Sequence, residues 1–151
     1  MPVSPPPQTS ADALWQRVHT SLLRQGLMQH LGTRLLAVAP GEVTLALPYS
    51  ERVTQQQGGF HGGAMGALAD IAGGYAGLTA APEGMEVVTV EYKINFLNAF
   101  QGGELQATGR VVKAGRRSIV TTAEVTHVAA DGKRTPCAVM QQTLMPVPQT
   151  Y

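Results

Sequence analysis

A chain of 151 residues with 44% hydrophobic residues can bury a substantial core in a single domain, so its body is not disordered. A formal charge of +1 with 14% charged residues gives no broad basic face and argues against a nucleic-acid partner. The lone cysteine, Cys137, excludes an internal disulfide and fits a reducing compartment, and residues 1–7 lack the basic start and apolar centre of a secretory signal, so a cytoplasmic location is expected.

In chain order, residues 1–9 are proline-rich and expected as a flexible tail, with residues 10–151 forming one domain. Ser10 is a candidate N-cap with Asp12 in the first turn. Leu14, Trp15, Val18, Leu22, Leu23, Leu27 and Leu31 recur at helical spacing and predict one amphipathic helix over about 11–32. Residues 35–38 and 42–47 flank Pro40-Gly41 and read as a hairpin. A polar loop over 48–60 ends in Gln55-Gln56-Gln57-Gly58-Gly59. A central helix over about 62–80 follows, stopped by Pro82 and Gly84. Strands are expected over 87–96, 104–113, 118–128 and 135–145, separated by turns at Gly102-Gly103, Gly115 and Asp131-Gly132. Connections this short favour antiparallel neighbours, and the class is α+β.

The apolar run 63–81 is long enough to raise the possibility of a membrane span, but it holds Asp70 and five glycines. A buried helix is the better reading, and no membrane partner is expected. Its glycines each cost ~1 kcal/mol of helix propensity relative to alanine, so packing must supply the deficit. Small side chains make sense if a curved sheet wraps closely around this helix. The start of the same helix, His61-Gly62-Gly63, exposes backbone N–H groups on small residues, where a polarisable ligand atom can approach. Asp70 stands nine positions after His61 in an otherwise apolar run. An electrophile-polarising end and a base thus share one element.

His61-Gly62-Gly63, Asp70 at that spacing, and Val88-Thr89-Val90-Glu91 in the next strand resemble the hotdog-fold acyl-CoA thioesterases. Within them the chain is most similar to the group named for phenylacetate degradation (PaaI-like), over about residues 30–145. The resemblance implies a hotdog fold: an antiparallel sheet wrapped around a long central helix, here with an extra N-terminal helix, assembled as dimers and often as dimers of dimers. It implies hydrolysis of an aryl- or fatty-acyl-CoA to free acid and CoA, with no cofactor beyond the CoA portion of the substrate.

Helix geometry bears on the assembly independently. Gly62 and Asp70 are ~12 Å apart along a helix axis at ~1.5 Å per residue. An oxyanion donor and an attacking group must each come within ~3 Å of one thioester. Two antiparallel copies of the helix satisfy this, each giving its Gly62 end to the other's Asp70.

The expected roles follow. The Gly62 N–H binds the thioester oxygen. Asp70 activates water or attacks the carbonyl, two routes that the sequence leaves open; the plain alternative is a buried acid satisfied by hydrogen bonds. Related enzymes carry glutamine or asparagine at the place of Gln55, six before His61, where it helps polarise the carbonyl. His61 is expected to pin the loop against the helix start rather than act as a base. Thr89 falls where relatives place a hydroxyl near the attacking water; the plain alternative is a threonine present as a good strand former. Another branch carries a hydroxyl four residues after the acid, but Gly74 stands there.

A second constellation, Lys113-Ala114-Gly115-Arg116-Arg117-Ser118, gathers three cations and a hydroxyl at a hairpin tip. Such groups suit phosphates, and the resemblance puts CoA contacts on this hairpin through Lys113, Gly115, Arg116, Arg117 and Ser118, with Asn95 a further neighbour of substrate. His19, His30, His61 and His127 have no paired spacing, so no metal site is expected. Two other readings remain. One is a hotdog enoyl-CoA hydratase or dehydratase; the other is a non-catalytic acyl-CoA-binding protein.

Overall fold

The computed structural model describes residues 9–151. Most of the tail expected over 1–9 therefore falls outside the described residues. Thr9, at its end, is the cap of the first helix, α1 (Ser10–Leu23). Its hydroxyl accepts from the Asp12 N–H at 3.1 Å and the Asp12 carboxylate accepts from the Thr9 N–H at 3.1 Å, a reciprocal capping box that displaces Ser10 from the expected role. The long helix expected over 11–32 is two helices. α1 ends at Leu23 and α2 (Gly26–Leu31) begins after Gln25, which is extended at φ −87° and ψ 102°. The apolar spacing runs through the break unchanged; the Gln25 side chain, donating to the Tyr75 hydroxyl at 2.8 Å, ties the junction to the central helix.

β1 (Arg34–Ala39) and β2 (Glu42–Pro48) form the hairpin, and α3 (Gly62–Ala80) is the central helix. β3 (Met85–Phe96), β4 (Glu104–Ala114), β5 (Ile119–Val128) and β6 (Arg134–Pro148) complete a six-stranded antiparallel sheet of order β1-β2-β4-β5-β6-β3. One expectation from short connections fails here. β3 does not pair with β4, its successor in sequence, but with β6, from Met85 opposite Pro148 to Phe96 opposite Ala138. β3 thereby becomes an edge strand, while β4 to β6 form a meander.

The sheet curls around α3, which touches β2 to β6. β5 alternates strictly, with Ile119, Thr121, Ala123, Val125 and His127 turned inward onto the helix side. The approach is close because side chains are missing where backbones meet. A β-carbon at Gly109 on β4 would lie 2.1 Å from the Ala72 carbonyl oxygen of α3, and one at Gly77 would lie 2.3 Å from a Leu144 methyl. Glycine is costly in a helix but necessary at this distance. Leu45, Leu47, Leu68, Leu78, Leu105 and Leu144 are buried around it. No helix among the described residues is long and apolar enough to cross a membrane.

Candidate active site

The start of α3 is built by a short loop. Thr54 bridges to Phe60, the Gln55 N–H donates to Gly59 O at 2.9 Å, and the Gly58 N–H donates back to Gln55 O at 2.9 Å. The His61 N–H donates to Val53 O at 2.7 Å, fixing where the helix begins. His61 is the N-cap, with Nδ1 accepting from the Gly63 N–H at 2.7 Å. The imidazole nitrogen nearest the helix is thus occupied as an acceptor, which is an anchoring role. The Gly62 N–H, the first of the helix, has no acceptor among the described residues. A β-carbon at Gly62 would lie 3.2 Å from the Phe96 ring, so that ring stands over the helix start. The Gln55 amide oxygen is turned back onto the Gln57 N–H, which leaves its NH₂ as the end able to donate outward.

Two turns along α3, half-buried Asp70 sits in a different kind of environment, made of side chains. Its Oδ1 accepts from the Thr89 hydroxyl at 2.7 Å and from the Gln142 amide. Thr89 is beside a bulge in the β3–β6 pairing, between Thr89 and Glu91. Such bulges re-aim side chains near sites. Asp70 and Thr89 line a cavity of about 410 Å³ between α1, α3 and β3. Ile71, Gly74, Leu78 and Val87 give it apolar walls; Ser21, Arg24, Gln25, Glu86 and Tyr151 add polar groups. The Tyr75 hydroxyl donates to Ser21 Oγ at 3.1 Å, and burial pushes its phenol up to about 12, so it stays neutral. Arg24 lies 4.4 Å over the Tyr151 ring. Cys137, the only thiol, is buried with its pKa raised to about 11 by that burial, which removes it as a nucleophile near neutral pH.

The structure thus groups the candidates three ways. Gln55, His61 and Gly62 cluster at the helix start, and Asp70 and Thr89 meet further along. Lys113, Gly115, Arg116, Arg117 and Ser118 are exposed at the β4–β5 tip, where the Gly115 N–H donates to Ser118 O at 2.9 Å. None of the three cations is ion-paired among the described residues, unlike Arg34 and Arg110. Asn95 is exposed on β3 and accepts from Lys93. Thr121 packs at Gly73 and Ile119 at Gly77, so the tip lies beyond the C-terminal half of α3, away from Gly62. Within one chain the helix start and Asp70 remain ~12 Å apart along the axis.

The thioesterase superfamily is the family whose pattern matches, over residues 57–129. A protein named an esterase from Saccharolobus solfataricus is 35% identical over 107 residues, covering 71% of this chain and 74% of its own. The chain belongs to the thioesterase superfamily. Its members' shared hotdog architecture is the one described above, and the chain is a thioester hydrolase. The crystal structure of a thioesterase family protein from Silicibacter pomeroyi superposes with a TM-score of 0.86 at 38% identity, covering 90% of this chain and 99% of that one. The PaaI protein from the phenylacetic acid degradation operon of E. coli shares the fold, with a TM-score of 0.81 at 22% identity over 94% of this thioesterase and 99% of its own chain.

Two residues around Asp70 escaped the sequence reading: Gln142 on β6 and Thr121 on β5. Their signal is polarity at inward positions of alternating strands. Met140 and Leu144 flank Gln142 on the same face, and Ile119 and Ala123 flank Thr121. Seeing it requires knowing which face of each strand meets α3.

Proposed function

We propose that this thioesterase hydrolyses aryl- or fatty-acyl-CoA as a homodimer that pairs into a homotetramer, a dimer of dimers, with each site shared between two subunits. The observation that carries the reading is Asp70, held by Thr89 at the wall of a cavity and beside the unpaired edge of β3. One acid oxygen is engaged; Oδ2 accepts from no described residue and is the atom left for chemistry.

The acyl group enters the cavity and its carbonyl lies against Asp70. The carboxylate either takes a proton from water as that water adds to the carbonyl carbon, or adds itself to give a mixed anhydride that water then opens. In both routes negative charge grows on the carbonyl oxygen. The partner's helix start supplies the Gly62 N–H and the dipole that stabilise it, with the Gln55 NH₂ as a second donor. His61 holds that loop in place. The carbonyl re-forms as the C–S bond breaks, and the thiolate of CoA leaves and takes up a proton. Lys113, Arg116, Arg117 and the Ser118 hydroxyl bind the phosphates of CoA, the turn at Gly115 holds that tip in shape through its N–H bond to Ser118 O, and Asn95 contacts the arm between phosphate and thioester.

A panel of aryl-acetyl, medium-chain and long-chain acyl-CoA thioesters, followed by free-thiol release, tests the reading. Asp70→Asn is expected to lower kcat by ~10²–10⁴-fold on every substrate that the wild type turns over. Near-full activity of that variant across the panel overturns the assignment of the acid.

A further inference from the structure

Gln142 is fully buried on β6, in a row otherwise occupied by Met140 and Leu144. A buried primary amide is costly unless its donors and acceptor are all used. Here they are. Oε1 accepts from Thr121 Oγ1 at 2.8 Å, itself fully buried. Nε2 reaches the Asp70 carboxylate, the Asp70 carbonyl oxygen at 3.2 Å and Thr89 Oγ1 at 3.2 Å. The orientation of the amide is dictated by chemistry. A carboxylate and a carbonyl oxygen can only accept, so the NH₂ must face Asp70 and the oxygen must face the Thr121 hydroxyl.

The helix makes room for this amide at its own expense. A β-carbon at Gly73 would lie 2.3 Å from Gln142 Oε1 and 2.8 Å from Thr121 Oγ1. An apolar pair, with alanine in the helix and leucine in the strand, would serve the core without any polar atom to satisfy. The cost of glycine and of a buried amide is instead spent directly beneath the acid.

We propose that Gln142, oriented by Thr121, is the positioning residue for the Asp70 carboxylate. The inference rests on the reading of Asp70 as the reacting acid. With Thr89 and Gln142 both donating to Oδ1, the carboxyl group is fixed about its side-chain torsions and Oδ2 is presented to the thioester. Thr89 is exposed on the edge strand. Gln142 comes from the buried strand behind it, so the acid is held from two strands at once, and the inner contact is shielded from water. Fixing a reacting group in this way acts on kcat rather than on substrate binding.

The test compares Gln142→Leu, which keeps volume and loses the donor, with Gln142→Glu, which keeps an acceptor for Thr121 but turns a second acid toward Asp70. Thr121→Val removes the orienting hydroxyl with little change of shape, and Thr121→Ser restores it. Folding is followed by thermal unfolding, and turnover by thiol release across pH. Both Gln142 variants are expected to lose ~10–100-fold in kcat with KM within about twofold. In Gln142→Glu the acid limb of the kcat profile should also move to higher pH, because a donor to the charged form is replaced by a like charge. Thr121→Val should lose less, and Thr121→Ser should recover it. If neither Gln142 variant folds, the Thr121 pair decides alone. Folded variants with wild-type kcat and an unmoved pH profile overturn the proposal, as does a kcat that falls only in proportion to the folded fraction. Asp70→Asn separates the two levels. An inactive Asp70→Asn beside fully active Gln142→Leu and Thr121→Val overturns this inference alone, whereas an active Asp70→Asn overturns the reading beneath it.

Discussion

The sheet has two edges, and they are built differently. β1 has six residues, is interrupted by an irregularity between Leu35 and Ala37, is packed by α1, and carries Arg34 in an ion pair with Glu104 at 2.6 Å. Short length, an irregular ladder and charge are the usual ways of stopping a strand from recruiting another. β3 has twelve residues and shows Val88, Val90, Tyr92 and Phe96 to solvent at 43%, 60%, 41% and 52% exposure. A long apolar edge left in this condition is a liability for a monomer and an interface for a dimer. It is also the strand that carries Thr89 against Asp70 and ends with Phe96 over Gly62. The edge that is open is therefore the edge that touches both halves of the candidate site.

The contrast can be broken by charge. Val90→Lys, in the exposed centre of β3, should give monomers by light scattering and a fall in turnover of about two orders of magnitude, because the donor and acid no longer share a substrate. Leu36→Lys, at 36% exposure on β1, should leave assembly and kcat unchanged and stability within ~0.5 kcal/mol. Equal losses from both substitutions would show that the edges are equivalent. A smaller effect sharpens the picture at the β4–β5 tip, which belongs to neither edge. Arg116→Ala and Arg117→Ala should raise KM several-fold with kcat retained, and the loss should shrink as salt rises through the ~0.1–1 M range in which exposed charges are screened. An unchanged KM would remove the tip from substrate binding.

Local signals made much of the fold readable. Glycines after His61 and the Pro82–Gly84 stop bracket α3, which spans Gly62–Ala80 as expected. The four later strands fall where turn residues predict them, each end shifted by a few residues at most. Long-range choices were not readable. Nothing near β3 says that it pairs with β6, since that depends on α3 carrying the chain across the sheet. The break between α1 and α2 hides in continuous apolar spacing and is marked by a bond from Gln25 to Tyr75, fifty residues away. The site divides similarly. His61, Gly62 and Asp70 are legible because one helix carries them at fixed spacing. Gln142 and Thr121 are not, because their meaning comes from strand faces that only the folded sheet defines.

The most direct test of a shared site is to combine two inactive chains. Asp70→Asn removes the acid. Gly62→Pro removes the N–H at a helix position that accepts proline, after a residue already extended at ψ 134°. Purified hetero-oligomers carrying one tag on each chain contain one site per dimer in which acid and donor are both intact, and should recover about half of the wild-type rate by two-fold symmetry. Folded hetero-oligomers no more active than either parent would contradict a site built from two subunits.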